Sequence, residues 1–239
     1  MSVPTPELSV VIPLFNEEKM VGGAVQELTS ALDARGFDYE LLLCENGSRD
    51  RTAALVDELA HENPRVLALH EPEPNYGRAL KHGILEARGT YVLCDEIDLC
   101  DVGFYERALP ILKANEADLV VGSKVLAGAK DERPFVRHAA TLVINGLLRA
   151  TLGFRGTDTH GLKAFRREAL AEVARACVVD KDLFASELVI RASRMGRRLR
   201  EIPVVVHEKR RPTINLVRRV PNVMKNLGKL VWIIRVKHR

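Results

Sequence analysis

Four carboxylates crowd one short stretch of the chain: Asp95, Glu96, Asp98 and Asp101 follow directly on the apolar run Tyr91-Val-Leu-Cys94. That run reads as a fully buried strand, and the C-terminal edge of a buried parallel strand is where open α/β sheets bind ligands. Glu96 and Asp98 are two residues apart, so in an extended chain both side chains leave on one side. Converging carboxylates repel unless a cation lies between them, and a divalent ion carrying a diphosphate meets that demand. A solvated acidic turn is the competing reading.

The elements that would position these groups alternate along the first half of the chain. Strands are expected at Leu8–Ile12 (ended by Pro13), Glu40–Cys44, Val66–Leu69, Tyr91–Cys94 and Asp118–Val121. Between them, Val21, Val25, Leu28 and Leu32 mark one face of a helix, with further helices at Ala54–Ala60, Ala79–Ala87 and Phe104–Asn115. This order predicts a mainly parallel sheet with helices on both faces. The second half reads as helices at Val136–Leu152, Glu168–Ala176 and Leu183–Met195, then a strand at Glu201–Val206. In the tail, Ile214, Val217, Val220, Met224, Leu227, Val231 and Ile234 follow a helical repeat, with Pro221 breaking or starting a helix in its middle.

With 239 residues, 46% of them hydrophobic, the chain can bury one large core. Its longest apolar runs fall short of a bilayer span, and its first residues lack the pattern of a signal peptide. No dinucleotide-binding glycine loop follows the first strand and no Walker A loop occurs, which counts against the two commonest nucleotide folds. Cys44, Cys94, Cys100 and Cys177 have neither metal-ligand spacing nor disulfide density, so they read as core thiols of a reducing cytosol. A net charge of +4 conceals an asymmetry: residues 207–239 carry +9 and the rest −5. A basic tail on an acidic body points to an anionic partner, either membrane phosphates or nucleic acid.

Seven segments, in order, carry a resemblance: Val11-Ile-Pro-Leu-Phe-Asn-Glu-Glu18, Cys44-Glu-Asn-Gly-Ser-Arg-Asp-Arg-Thr52, Asn75-Tyr-Gly77 through Gly83 to Gly89, Glu96-Ile-Asp98, Gly122-Ser-Lys124, Asp158-Thr-His-Gly-Leu-Lys163 and Glu201-Ile-Pro203. Together they resemble family-2 glycosyltransferases of the GT-A fold, specifically the dolichyl/polyprenyl-phosphate mannose synthases. The resemblance spans residues 8–210 and implies an α/β fold with a mainly parallel Rossmann-like sheet flanked by helices. It divides the chain into a transferase domain, residues 1–210, and a basic amphipathic helical extension, residues 211–239, packed on the domain or on a membrane surface.

The resemblance also implies roles. Pro13, Phe15 and Glu17 would hold the nucleotide, and Glu45 and Asn46 its base; each group also reads as a helix cap or an Asx turn. Glu96 and Asp98 stand at the family's Asp-x-Asp positions and would hold Mg²⁺ or Mn²⁺ on the donor diphosphate, with Asp95 beside them. Glutamate for the first aspartate keeps the charge with one more methylene. Cys100 replaces a polar family residue, leaving Asp101 as a substitute ligand. Lys163 would contact the diphosphate, and Lys124, Arg137 and Thr141 the acceptor phosphate, the last two sharing a helix face.

The implied reaction is inverting transfer of a hexose, from GDP-mannose or UDP-glucose, to a polyprenyl phosphate. Its acceptor oxygen is ionised at neutral pH, so alignment and electrostatics would carry the catalysis. The implied setting is the cytoplasmic surface of a membrane, reached through the basic tail or a membrane-embedded partner subunit. Nucleic acid is not expected as a partner, since aromatic residues are scarce. Two alternatives stand beside this reading. A transferase acting on a hydroxyl acceptor would need a general base, with Asp158 or Glu187 as candidates. A non-catalytic nucleotide-sugar-binding protein would need none. His160 and His207 are read as structural.

Overall fold

The computed structural model describes residues 5–131, 135–181, 183–206 and 216–235, without the side chains of 131, 135–138, 140 and 216–220. In chain order the elements are β1 (Leu8–Leu14), α1 (Val21–Ala34), β2 (Tyr39–Asn46), α2 (Thr52–Glu62), β3 (Val66–Glu71), α3 (Tyr76–Glu86), β4 (Tyr91–Cys94), α4 (Val102–Lys113) and β5 (Leu119–Ser123). There follow β6 (Lys130–Asp131), α5 (Phe135–Leu152), β7 (Lys163–Arg166), α6 (Arg167–Ala176), α7 (Phe184–Arg194), β8 (Leu199–Pro203), β9 (Val205–Val206) and α8 (Leu216–Arg235).

Seven strands form one sheet in the order β3-β2-β1-β4-β7-β5-β8, and β6 pairs with β9 in a small second ladder. The chain leaves β1 toward β2 and β3 on one side and returns to β4 on the other. The C-terminal ends of β1 and β4 therefore bound the switch-point crevice where such sheets hold ligands. All pairings in the large sheet are parallel except those of β7, which runs antiparallel to both β4 and β5. β7 is not expected from the sequence, because four residues opening with a lysine carry no strand pattern.

Apolar residues alternate between the two faces of the sheet. Val10 and Ile12 enter a core with Val21, Val25, Leu28 and Leu32 of α1, while Val11 enters the opposite core with Leu80 and Ile84 of α3. Helix α3 crosses β1 and β2 very closely: a Cβ at Gly83 would lie 2.4 Å from Val11 Cγ1 and 2.5 Å from Cys44 Sγ. Only glycine admits that approach.

β1 continues through Pro13 to Leu14, correcting the expectation that Pro13 ends it. The Val11 carbonyl accepts from the Asp95 N–H (3.1 Å), so Val11 and, by alternation, Pro13 turn their backbone toward β4. The β1–β4 ladder stops at Val11–Cys94, so no acceptor awaits the N–H that proline lacks. α8 is likewise one helix, with Pro221 within its first two turns. Its Leu227, Leu230, Ile233 and Ile234 are buried, and the first, second and fourth join the core under α3, α5 and α7.

Candidate active site

Two loops at the β1 and β2 ends are laced together. The Asn16 N–H donates to Ser48 Oγ (3.0 Å), the Arg49 N–H to Asn16 Oδ1 (2.8 Å), and the Glu17 N–H to Thr52 Oγ1 (2.7 Å). Asn16 takes a left-handed φ of 56° to make this turn. Pro13 and Glu17 are buried and Phe15 between them is exposed.

Glu45 and Asn46 end β2, both buried. Glu45 Oε1 accepts from the Ser48 N–H (2.6 Å), and Oε2 lies 3.6 Å from His70 Nδ1. Burial alone would raise the Glu45 pKa, but the Ser48 and Gly47 donors and His70 hold it below the usual range. Asn46 Oδ1 accepts from the Asn75 N–H (2.5 Å), and Asn75 in turn caps α3 through the Arg78 N–H (3.2 Å). The first turn of α3 is pinned from the other side too, since a Cβ at Gly77 would lie 1.3 Å from the Asp180 carbonyl oxygen.

Between those two anchors sits Tyr76, a residue that sequence reasoning passed over. The residue is 41% exposed. Burial first, then the negative charges of Glu96, Cys94, Asp95 and Asp98, push its pKa well above the phenol value. The only sequence signal for it was its place inside the Asn75–Gly77 segment.

The acidic stretch after β4 is a turn, not the extended chain expected: the Leu99 and Cys100 N–H groups donate to the Glu96 carbonyl (2.9 and 3.1 Å). Ile97 is buried, with Glu96 exposed and Asp98 half-buried on either side of it. Asp95 points inward and holds the turn. It accepts from Tyr105 Oη (2.5 Å), the Glu96 N–H (2.6 Å) and the Asp101 N–H (3.0 Å). Burial lifts its pKa to about 7 against the pull of those donors. Asp101 caps α4, its Oδ1 accepting from the Phe104 N–H (2.9 Å).

Among the described residues no three His, Cys, Asp or Glu side chains gather into a metal cluster. The Glu96–Asp98 pair nonetheless suits Mg²⁺ or Mn²⁺, which proteins commonly bind through one or two carboxylates with substrate phosphates completing the sphere.

Lys163 opens β7 directly opposite Cys94, the last residue of β4. Its Nζ donates to the Gly161 carbonyl (2.7 Å), and it is 3% exposed. Burial lowers its pKa to about 8, opposed by Cys94, Asp158 and Glu96 and reinforced by Lys124. Lys124 Nζ lies 3.2 Å from Asp158 Oδ2, and that carboxylate has no exposed surface. Burial pushes the Asp158 pKa up, but Lys124 and the His160 N–H pull it below the usual range.

Thr141 is half-buried on α5, one turn before Asn145, whose Nδ2 donates to the Thr157 carbonyl (2.7 Å). The Arg137 side chain and His207 lie outside the described residues. Glu187 is fully buried: Oε2 accepts from the Val178 and Val179 N–H groups (2.9 and 2.7 Å) and Oε1 from Arg191 Nε (2.6 Å). His160 is half-buried, with Nδ1 3.1 Å from Thr159 Oγ1.

The switch point of the sheet thus carries Glu96 and Asp98 just beyond β4, with Lys163 opening the neighbouring strand and Lys124 paired to Asp158. The chain belongs to glycosyl transferase family 2, whose model matches residues 9–174. It is 32% identical over 241 residues to glycosyltransferase AglD of Haloferax volcanii, covering 98% of this chain and 38% of that protein. It is 31% identical to a dolichyl-phosphate beta-glucosyltransferase of Trichomonas vaginalis, covering 86% of this chain and 67% of that one. The fold is similar to that of glucosyl-3-phosphoglycerate synthase from Mycobacterium tuberculosis, solved with Mn²⁺, UDP-glucose and phosphoglyceric acid. The TM-score is 0.66 at 21% identity, over 95% of this chain and 80% of that one. These confirm the expected family and the GT-A fold.

Proposed function

We propose that this chain transfers a hexose from a nucleotide sugar to the phosphate of a polyprenyl carrier, with inversion at the anomeric carbon. The observation that carries the choice of acceptor is the state of the two carboxylates available as general bases. Asp158 is buried, ion-paired and held below the usual carboxylate pKa. Glu187 spends both oxygens on backbone N–H groups and Arg191. Neither is poised to take a proton from a hydroxyl, whereas a lipid monophosphate, with its second pKa near ~6, arrives ionised. Glucose is the sugar named for the Trichomonas relative and is the hexose we favour.

On this reading the chain aligns two anions and offsets their charge. Glu45, Asn46 and the Pro13–Glu17 loop, with its exposed Phe15, hold the nucleoside. Glu96 and Asp98 would hold Mg²⁺ or Mn²⁺, which when bound neutralises the departing diphosphate. Lys163, beside them, places a second positive charge on the leaving side, and a neighbouring diphosphate would favour its protonated form. Lys124, with Thr141 and Arg137 of α5, holds the acceptor phosphate for in-line attack. The fixed charges need little reorganisation as the bond breaks.

The acceptor's bilayer sets the remaining requirement. No helix among the described residues is long and apolar enough to cross a membrane. α8 buries one face in the domain and exposes Trp232 and Met224 with Lys225, Lys229 and Arg235, while α5 exposes Leu142 and Val143. An aromatic and basic helix face of this kind suits the interface of an anionic membrane. On this reading the protein is a peripheral one of the cytoplasmic membrane surface, docked directly or on a membrane-embedded partner.

Labelled sugar offered as GDP-mannose, UDP-glucose and related donors, with polyprenyl phosphate and Mg²⁺, Mn²⁺ or EDTA, tests the scheme. Organic-extractable label from one donor, abolished by EDTA, is expected. Activity that survives EDTA would remove the metal from the scheme, and no extractable label with any donor would overturn the acceptor.

A further inference from the structure

The Glu201-Ile-Pro203 segment takes no part in the chemistry above, yet its carboxylate reaches the acceptor side. Glu201 lies on β8, at the edge of the sheet and three strands beyond β4. Its Oε1 accepts two successive backbone N–H groups, those of Thr157 (2.7 Å) and Asp158 (3.1 Å). From α5, Asn145 Nδ2 donates to the carbonyl of the same Thr157 (2.7 Å). From β5, Ser123 Oγ lies 2.6 Å from Thr157 Oγ1. Three elements therefore grip one residue, Thr157, through its N–H, its carbonyl and its hydroxyl, and Glu201 holds the Asp158 N–H as well. Asn145 is 5% exposed and its Oδ1 has no partner among the described residues, so the bond to Thr157 is what fixes its amide.

The gripped peptide carries the Asp158 carboxylate. Oδ1 accepts from the His160 N–H (2.9 Å), and Oδ2 lies 3.2 Å from Lys124 Nζ and accepts from the Lys124 N–H (3.3 Å). A lysine ammonium is a point charge on a flexible four-carbon stem with three donors. One donor anchored to a rigid carboxylate leaves the other two for an incoming anion.

We propose that Glu201, with Asn145, is a positioning residue: it fixes the Thr157–Asp158 peptide and through Asp158 aims the Lys124 ammonium at the acceptor anion. The inference rests on Lys124 being the acceptor-phosphate cation of the proposed function. It assigns the Glu201 segment a task in acceptor binding and none in donor binding.

The test compares wild type with Glu201→Ala, Glu201→Gln and Asn145→Leu. Glutamine keeps an oxygen for the two N–H groups, so Glu201→Gln should retain near-normal kinetics. Glu201→Ala loses a charge-assisted pair of hydrogen bonds and should raise the acceptor KM by about tenfold or more, with the donor KM unchanged. Asn145→Leu should act in the same direction. Both KM values rising together, or a lowered melting temperature with unchanged kinetics, would overturn the assignment. A second readout needs no acceptor: the Lys124 ammonium signal in protein carrying ¹⁵N-labelled lysine, identified by its absence in Lys124→Met. It should shift and exchange faster with water in Glu201→Ala but not in Glu201→Gln. An unchanged signal would overturn the proposal whatever the acceptor proves to be, and if wild type transfers to no lipid phosphate this signal alone decides.

Discussion

Lys163 faces Cys94 across the antiparallel β4–β7 pair, so the strand that delivers the Glu96–Asp98 turn is locked beside the strand that delivers a buried cation. The two cannot move independently without breaking the sheet. The carboxylates and the lysine proposed to meet the donor are thus carried on one paired unit of the sheet.

Buried Lys163 has a pKa of about 8 in the free protein. As pH rises through that value the cation proposed to face the leaving diphosphate is lost. kcat/KM for the donor should therefore fall above about pH 8 with the slope of one ionisation. A pH–rate profile that stays flat well beyond this value would separate Lys163 from catalysis.

The same group makes stability depend on pH. Between about 8 and the ordinary value of 10.5, folded Lys163 binds fewer protons than the unfolded chain. Stability then rises with pH across that window, and the buried charge is a full cost below it, roughly 3 kcal/mol. Lys163→Met should thus be more stable than wild type at pH 7, with the gain shrinking toward pH 10, while sugar transfer is lost. Urea unfolding at both pH values checks the sign.

Glu96 is exposed and Asp98 half-buried, so their roles can be tested with little structural damage. Glu96→Gln and Asp98→Asn should each cut transfer by about 10²-fold or more. Stability should change by no more than about 0.5 kcal/mol for the exposed Glu96. Glu96→Asp should keep activity. Turnover measured against Mn²⁺ concentration, beside thermal melts, distinguishes a lost ion site from a lost fold.

Asp158→Asn strips Lys124 of its buried counter-charge and should destabilise the fold by about 3–5 kcal/mol. The sign with pH is opposite to that of Lys163. The folded pKa of Asp158 is depressed, so its contribution holds at neutral pH and is lost as pH falls through and below about 4. Thermal melts of variant and wild type should converge in strong acid.

The exposed basic residues of α8 give a prediction independent of the chemistry. Lys225→Glu with Arg235→Glu should weaken binding to phosphatidylserine vesicles, each lost charge counting for about 1 kcal/mol near the surface. Co-sedimentation at low and high salt measures it, and binding unchanged by both substitutions would contradict a role for this face.

Much of the fold was legible because it rests on apolar periodicity. The α1 stripe Val21, Val25, Leu28 and Leu32 is buried as read, and β1 to β4 fall where the apolar runs place them. What pattern could not show was set by pairing and by turns. β7 escaped because Lys163-Ala-Phe-Arg166 owes its strand to β4 and β5 on either side. Pro13 was read as a strand end because one sequence cannot tell that the neighbouring ladder stops at Val11. Asp95 and Asp101 looked equivalent to Glu96 and Asp98 by charge, yet one holds the turn and the other caps α4. Glu201 carried no chemical signal, since its role depends on two N–H groups more than forty residues upstream.

The central proposal is that the acceptor arrives already ionised and that neither Asp158 nor Glu187 acts as a base. The most direct measurement is transfer of labelled sugar to a polyprenyl phosphate and, in parallel, to the polyprenol of the same chain length. Label appearing on the phosphate alone, at a rate that does not rise with pH above about 7, is the expected result. Label on the alcohol, or a rate that climbs with deprotonation of a protein group, would contradict the account and return Asp158 or Glu187 to the role of base.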